Sequence, residues 1–414
     1  MMKLPKQEPG VPQAQLARTI NLPLLTFYGL GTILGAGIYV LIGTVAGYAG
    51  VFTPLAFLLA AAVAGTTAFS YAQLSALFPH SAGEAAYVWE GFNQRLLSVL
   101  VGWLIVFTGV VSVATLVNGF VGYFNVFVSM PPVLAIVLLL VLMGGLAVWG
   151  ISESLWVAAA MTLVEIGGLI LVLVFNMSAF TRWPDAQLLV WPADFASWSG
   201  IFTAAFIAFY AFIGFEDIVN IAEEVKRPET NLPRAIFLAL AIASILYMLV
   251  AWVAIVSVPV EALATSDAPL SLLLEKQSGH ASQLVAFISL FAIINGVLIQ
   301  MIMASRLLYG MACRGGAPAW LASVSIRTHT PVLATLLVVG LVLVFALWLP
   351  LAQLARLTSF TILMVFILVN AALWQVKRKR PELICSRYVP TAPLLAGVLC
   401  VVLLLLEAIS IFSY

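Results

Sequence analysis

Charge is what this sequence has least of. Asp, Glu, Lys and Arg together make up 8% of it, where a soluble domain carries about a quarter. That is too few to cover a water-facing surface, so a soluble globular protein is excluded. The net charge of +1 leaves no basic footprint for nucleic acid. Cysteine is scarce and scattered, at Cys313, Cys385 and Cys400, which excludes a disulfide framework and a cysteine metal cluster. The three histidines, His80, His280 and His329, all fall in predicted loops. The apolar segments therefore hold no nucleophile–base or metal constellation of the kind a membrane enzyme needs. No cofactor is implied. A repeated pore element, which would argue for a channel, is also missing. Met1 to Asn21 carries Lys3, Lys6 and Arg18 without a short apolar core and cleavage site. It reads as a cytoplasmic tail (1–23), not a cleaved leader.

What the chain has is apolar length. Hydrophobic residues make up 63% and the mean hydropathy is +1.13. With roughly 20 residues needed per crossing, the predicted spans are 24–48, 52–77, 95–127, 131–150, 154–178, 199–222, 232–258, 281–313, 330–348, 352–375 and 391–412. The expected fold class is an all-α polytopic membrane protein of about eleven helices. Of the 18 Lys and Arg residues, fifteen fall on one side and three, Arg182, Lys276 and Arg356, on the other. The positive-inside rule then places the N-terminus in the cytoplasm and the C-terminus outside. Trp183, Trp191 and Trp198 sit in outer loops as interfacial residues. The segment from His80 to Tyr87 reads as an inner loop. Pro228 is expected to stop one helix and Pro233 to lie near the start of the next. The surrounding charges Glu223 to Arg234 form a solvated cluster with some part in closing an inner gate.

Two spans are poor prescriptions for continuous helix. The first contains Gly29, Gly31, Gly35 and Gly37 before Ile38 and Tyr39. Each glycine costs roughly 1 kcal/mol relative to Ala in a helix interior, and freed backbone groups find no water in lipid. The sixth contains Phe209-Tyr210-Ala211-Phe212-Ile213-Gly214-Phe215-Glu216-Asp217, where a glycine and two acids interrupt an apolar run. Two interrupted helices at matching places in two halves of a membrane chain point to a binding site at the midplane. A tight contact between small residues is the alternative for the first stretch taken alone.

These segments resemble the amino acid–polyamine–organocation permease superfamily, in particular its cationic-amino-acid-transporter-like branch and bacterial relatives. The matching pieces are Gly31 to Tyr39, Phe78-Pro79 to Tyr87, Phe212 to Glu216, Glu223-Glu224 to Pro228, Ser305-Arg306 to Ala312, and Val369-Asn370 with Arg380-Pro381-Glu382 after it. The resemblance implies the leucine-transporter type fold. Spans one to five (24–178) and six to ten (199–376) would form two inverted repeats, with helices one and six broken and span eleven (391–412) peripheral. It implies amino acid transport across the plasma membrane, a bacterial inner membrane, by alternating access through symport or exchange. Transport of a polyamine or other organic cation, and amino acid export, are the alternatives.

An amino acid substrate presents a carboxylate and an ammonium. Amides around Gly35, Ala36 and Gly37 suit the carboxylate. Carbonyls at Thr32 and Ile33, and at Phe209, Tyr210 and Phe212, suit the ammonium, with Gly214 opening the second break. Tyr210 aligns with an aromatic that stacks on or gates substrate in this superfamily, or is a packing aromatic. Four carboxylates lie within or beside spans: Glu165, Glu216, Asp217 and Glu407. Intramembrane acids default to functional roles. Glu407, near the outer end of the last span, is expected to snorkel to the interface. Glu216 either changes protonation during the cycle or makes a structural hydrogen bond. Glu165 stands where many relatives carry a lysine thought to replace a sodium ion between spans one, five and eight. Here it would accept a proton, bind Na⁺ with Ser305 nearby, pair with a basic substrate, or make one structural hydrogen bond. The expected coupling ion is H⁺ ahead of Na⁺, carried by Glu165 or Glu216. Cys313-Arg314-Gly315-Gly316 departs from the family's usual Arg-Asp-Gly.

Overall fold

In the computed structural model the residues described are 18–79, 83–149, 155–181, 192, 194–275, 278–328, 330–383 and 391–412. The regular elements among them are all helical. In chain order the α-helices are α1 (Leu22–Leu34), α2 (Ala36–Ala49), α3 (Thr53–Leu77), α4 (Gly83–Phe92), α5 (Arg95–Asn125), α6 (Pro132–Trp149), α7 (Leu155–Phe175) and α8 (Phe195–Phe209). They continue with α9 (Pro228–Ser257), α10 (Val260–Ala264), α11 (Pro269–Glu275), α12 (Gly279–Cys313), α13 (Val332–Trp348), α14 (Leu351–Lys379) and α15 (Thr391–Phe412). The eleven expected spans map onto α1 with α2, then α3, α5, α6, α7, α8 with the turns after it, α9, and α12 to α15. Eight helical stretches among the described residues are long and apolar enough to cross a membrane, and three shorter apolar helices accompany them. His80, His329, Cys385, Trp183, Trp191, Arg182, Lys276 and the tail to residue 17 lie outside the described residues.

Three local expectations are corrected. Residues 80–87 were expected as a loop, but the chain from Gly83 folds as α4 and packs on α14 and α5. Glu84, Tyr87, Val88 and Gly91 fall at helical spacing on one buried face. Gly91 lets the backbone of Ala372 approach; a Cβ there would lie 2.7 Å from its Cα. Pro228 does not stop the preceding helix. It opens α9, where a missing N–H costs nothing because first-turn amides have no acceptor, and Pro233 falls inside the helix. Arg227, with φ 49°, makes the turn before it. His280 is helical, one residue into α12, whose start is capped by Ser278.

The packing builds the site from the centre outward. α1 lies against α9 and α7, α2 against α8, α3 against α9, and α5 against α12. At the Lys- and Arg-rich end, Ile20 bridges to the segment between span six and α9. Its N–H donates to Glu224 O (3.1 Å), and its carbonyl accepts from Lys226 N–H (2.9 Å). At the other end Glu407 does not snorkel. It is 4% exposed and pairs with Arg356 at 3.1 Å, and the Arg356 guanidinium lies 4.9 Å from the Tyr48 ring centroid. A carboxylate this deep in apolar side chains persists by pairing.

Candidate functional site

Both expected interruptions are present. α1 stops at Leu34, Gly35 turns the chain out of helix (φ −26°, ψ −162°), and α2 starts at Ala36. The Gly35 N–H still donates to Gly31 O (3.2 Å), so this amide belongs to α1. The first amides of α2, on Ala36, Gly37 and Ile38, have no carbonyl one turn earlier in their own helix. In span six, α8 ends at Phe209. A 3₁₀ turn covers Tyr210–Phe212, Ile213 is extended, Gly214 takes φ 125°, and a 3₁₀ run resumes at Glu216–Glu224. Only glycine fits that φ comfortably. A Cβ on Gly214 would also lie 2.3 Å from Thr32 O, and one on Gly37 2.7 Å from Ala211 Cα. The two breaks are thus in backbone contact.

A small cavity of about 40 Å³ lies where they meet. Of the expected residues, Thr32, Ile33, Gly35, Gly37 and Tyr210 line it. The rings of Phe209 and Phe212, which were expected to serve through their carbonyls, pack elsewhere: Phe209 on Phe366, and Phe212 on Phe57 and Tyr247. Gly214 sits behind Thr32, whose hydroxyl is 2.9 Å from both Gly29 O and Gly214 O. Ala36 contributes its place at the start of α2. The far wall comes from Ser112 and Leu116 of α5 and Gly296, Ile299 and Gln300 of α12. Sequence reasoning missed this wall, because a face of one or two polar residues in an otherwise apolar helix gives no contrast. The Tyr210 hydroxyl is 2.9 Å from Ser112 Oγ, spanning the cavity from span six to α5. Its size suits water, not an amino acid with its side chain.

A second cavity shares Ser112, Ile213 and Gln300 with the first and is lined by Glu84, Glu216 and Asp217. Glu216 Oε2 accepts the Gly214 N–H at 2.8 Å, so this acid holds the break. Asn220 Nδ2 donates to Asp217 (3.4 Å) and the Tyr71 hydroxyl to Glu84 (3.3 Å). Burial pushes the Glu84 carboxyl, on α4 between two spans, up to about 7 against the pull of its hydrogen bonds. No cluster of His, Cys, Asp and Glu able to hold a metal ion occurs among the described residues.

Glu165 is fully buried in α7. Its Oε1 accepts from Asn295 Nδ2 of α12 at 3.4 Å, and its carbonyl accepts from the Tyr39 hydroxyl of α2. It therefore joins spans one, five and eight. Ser305 is not brought to it. That residue lies ten positions beyond Asn295 on the same helix, about 15 Å further along, and donates to Ile302 O. Asn295, a polar amide within apolar α12, was the signal available for this contact.

A family profile described as amino acid permease matches residues 20–413. Among curated proteins, the chain is 28% identical to the branched-chain amino acid permease BcaP of Bacillus subtilis over 93% of this chain and 86% of that one. It is 30% identical to the vacuolar cationic amino acid transporter 2 of Arabidopsis thaliana over 89% of this chain but 61% of the relative, so it spans less than two thirds of that protein's length. It is 27% identical to the methylthioribose transporter of Bacillus subtilis over 93% and 87%. The interrupted first and sixth spans agree with the leucine-transporter type fold of this superfamily. With two breaks facing one cavity and a match along nearly its whole length, the chain belongs to the amino acid permease family and is a transporter, not an enzyme.

Proposed function

We propose that the chain carries an amino acid across the membrane by alternating access, coupled to protons as symport or exchange. The observation behind this reading is the meeting of two helix breaks at one cavity with few ionised groups on its walls. The N–H groups of Ala36 and Gly37 take the substrate carboxylate, as helix N-termini do. Carbonyls on the span-one side, at Thr32 and Ile33, take the ammonium with those near Tyr210. Tyr210 and Ser112 close over the ligand. Glu165 carries the coupling proton, handing it over as the Asn295 contact breaks; Glu216 is the second carrier, on the acid-lined side. Residues 24–178 and 199–376 act as two inverted repeats with 391–412 at the periphery, in a bacterial inner membrane with the N-terminus in the cytoplasm.

One observation favours a second reading. The acid-lined cavity continues from the first, and its carboxylates suit a cationic side chain or a polyamine. The test is counterflow in proteoliposomes preloaded with leucine, arginine or putrescine, at two pH values and with or without Na⁺. Counterflow of leucine accelerated by an imposed pH gradient supports the first reading, and of putrescine alone the second. Absence of counterflow with any amino acid overturns the first.

A further inference from the structure

The hydroxyl of Tyr247 touches both helix breaks at once. Tyr247 lies within α9 and is fully buried. Its Oη is 2.7 Å from Ile33 O and 3.0 Å from Ala211 O. Ile33 is the next-to-last residue of α1 and lines the cavity. Ala211 sits in the 3₁₀ turn of span six, with its Cα against Gly37 of α2. A break deprives such carbonyls of the N–H that continuous helix would supply. The phenol has one proton to offer two acceptors. Its ring packs 6.0 Å from Phe57 of α3, outside both broken helices, and 5.2 Å edge-on from Phe212 of the span-six turn itself. The Phe57 contact therefore anchors the hydroxyl from α3, and both carbonyls meet it there.

We propose that Tyr247 is a positioning residue that sets the separation of the two broken helices by sharing its single proton between Ile33 O and Ala211 O. Its role in transport rests on the amino acid reading above; its hold on the two breaks does not. The cradle it spaces would meet only the carboxylate and ammonium common to all amino acids. Its loss would therefore weaken every such substrate by one factor, whatever the side chain. Tyr210 and Ser112 face the cavity itself, so their loss would change selectivity.

The test is Tyr247→Phe in the full-length protein, which keeps the ring and removes the hydroxyl. Hydrogen exchange in lipid nanodiscs without substrate should rise about tenfold, the worth of a buried hydrogen bond, in both segments 29–40 and 208–218, with α6 and α13 unchanged. In proteoliposomes KM should rise by a common factor for each transported amino acid, with the maximal rate within about twofold. A Phe57→Leu variant, which loosens the ring and keeps the hydroxyl, should give a smaller change in both segments. Unchanged exchange in either segment, a rise spread evenly over all spans, or a KM effect that varies with the side chain overturns the proposal. If the wild-type protein moves no amino acid, the functional reading falls and the exchange data alone decide the role of Tyr247.

Discussion

The Thr32 hydroxyl lies 2.9 Å from Gly214 O, joining two residues 182 positions apart in the chain. Thr32 is in the last turn of α1 and Gly214 in the bend of span six. The contact is close because Gly214 lacks a side chain and takes a backbone angle that others resist. Each break is thereby part of the wall of the other.

Gly214→Ala should therefore be among the most damaging small substitutions in the chain. The new methyl group meets backbone, not a flexible side-chain tip, and the φ is strained as well. A loss of more than about 2 kcal/mol of stability is expected, together with loss of uptake. Gly167→Ala in α7, where a Cβ meets open space, is the control. It should leave stability unchanged or raise it by up to ~1 kcal/mol. Thermal unfolding in detergent and uptake in proteoliposomes compare the two.

Glu165→Gln keeps the shape of the side chain and its contact to Asn295 but cannot carry a proton. Counterflow should persist in this variant, while acceleration of uptake by an inward pH gradient disappears. Uptake that keeps both its rate and its pH profile would remove Glu165 from the coupling mechanism and leave Glu216 as the carrier.

Glu84 gives a pH dependence with a definite sign. Its carboxyl ordinarily titrates near 4.5 and is raised to about 7 in the fold by burial. The folded state thus binds the extra proton between these values, and stability falls as pH rises through that window. The shift corresponds to about 3 kcal/mol, fully lost above pH 7. Tyr71, Tyr87, Glu216 and Asp217 face or neighbour this carboxyl, and the acids among them add titrations of their own. Glu84→Gln should give a flatter profile of melting temperature against pH, with a higher value than wild type at pH 8 and little difference at pH 5.

The Arg356–Glu407 pair ties α14 to α15. Arg356→Gln leaves the Glu407 carboxylate buried without its counter-charge, a loss of the order of 3–5 kcal/mol for a fully buried pair and less here because Arg356 is partly exposed. Arg356→Gln with Glu407→Gln removes both charges. The double variant should melt at a higher temperature than Arg356→Gln alone; a lower value would show that the pair is not coupled.

The spans were legible because apolar length is the strongest signal a membrane chain carries, and both breaks were legible because clustered glycines in one span and a glycine with paired acids in another are poor prescriptions for continuous helix. The span-one and span-six side of the cavity could be read for the same cause: Thr32, Gly35 and Tyr210 lie in those anomalous stretches. Gly296, Ile299, Gln300, Ser112 and Leu116 could not, since nothing local separates a cavity-facing residue of α12 or α5 from a packing one. Phe209 and Phe212 entered the site through their backbone carbonyls; where their rings go was not legible, and they join the aromatic packing around Phe57 and Phe366. The α4 helix was hidden by its small and polar residues, which suit a loop and equally suit a helix pressed against α14. Glu407 needed its partner's position, 51 residues earlier in sequence, which only the fold supplies.

The bridge from Ile20 to Glu224 and Lys226 stitches the entrance of the first broken span to the exit of the sixth. With Thr32 fastening the same two arms near their inner tips, they are clamped at both extremities and form a single lever. Displacing either arm alone would have to break the contacts at one extremity or the other. A tug on the segment just before Ile20 is felt by both arms together.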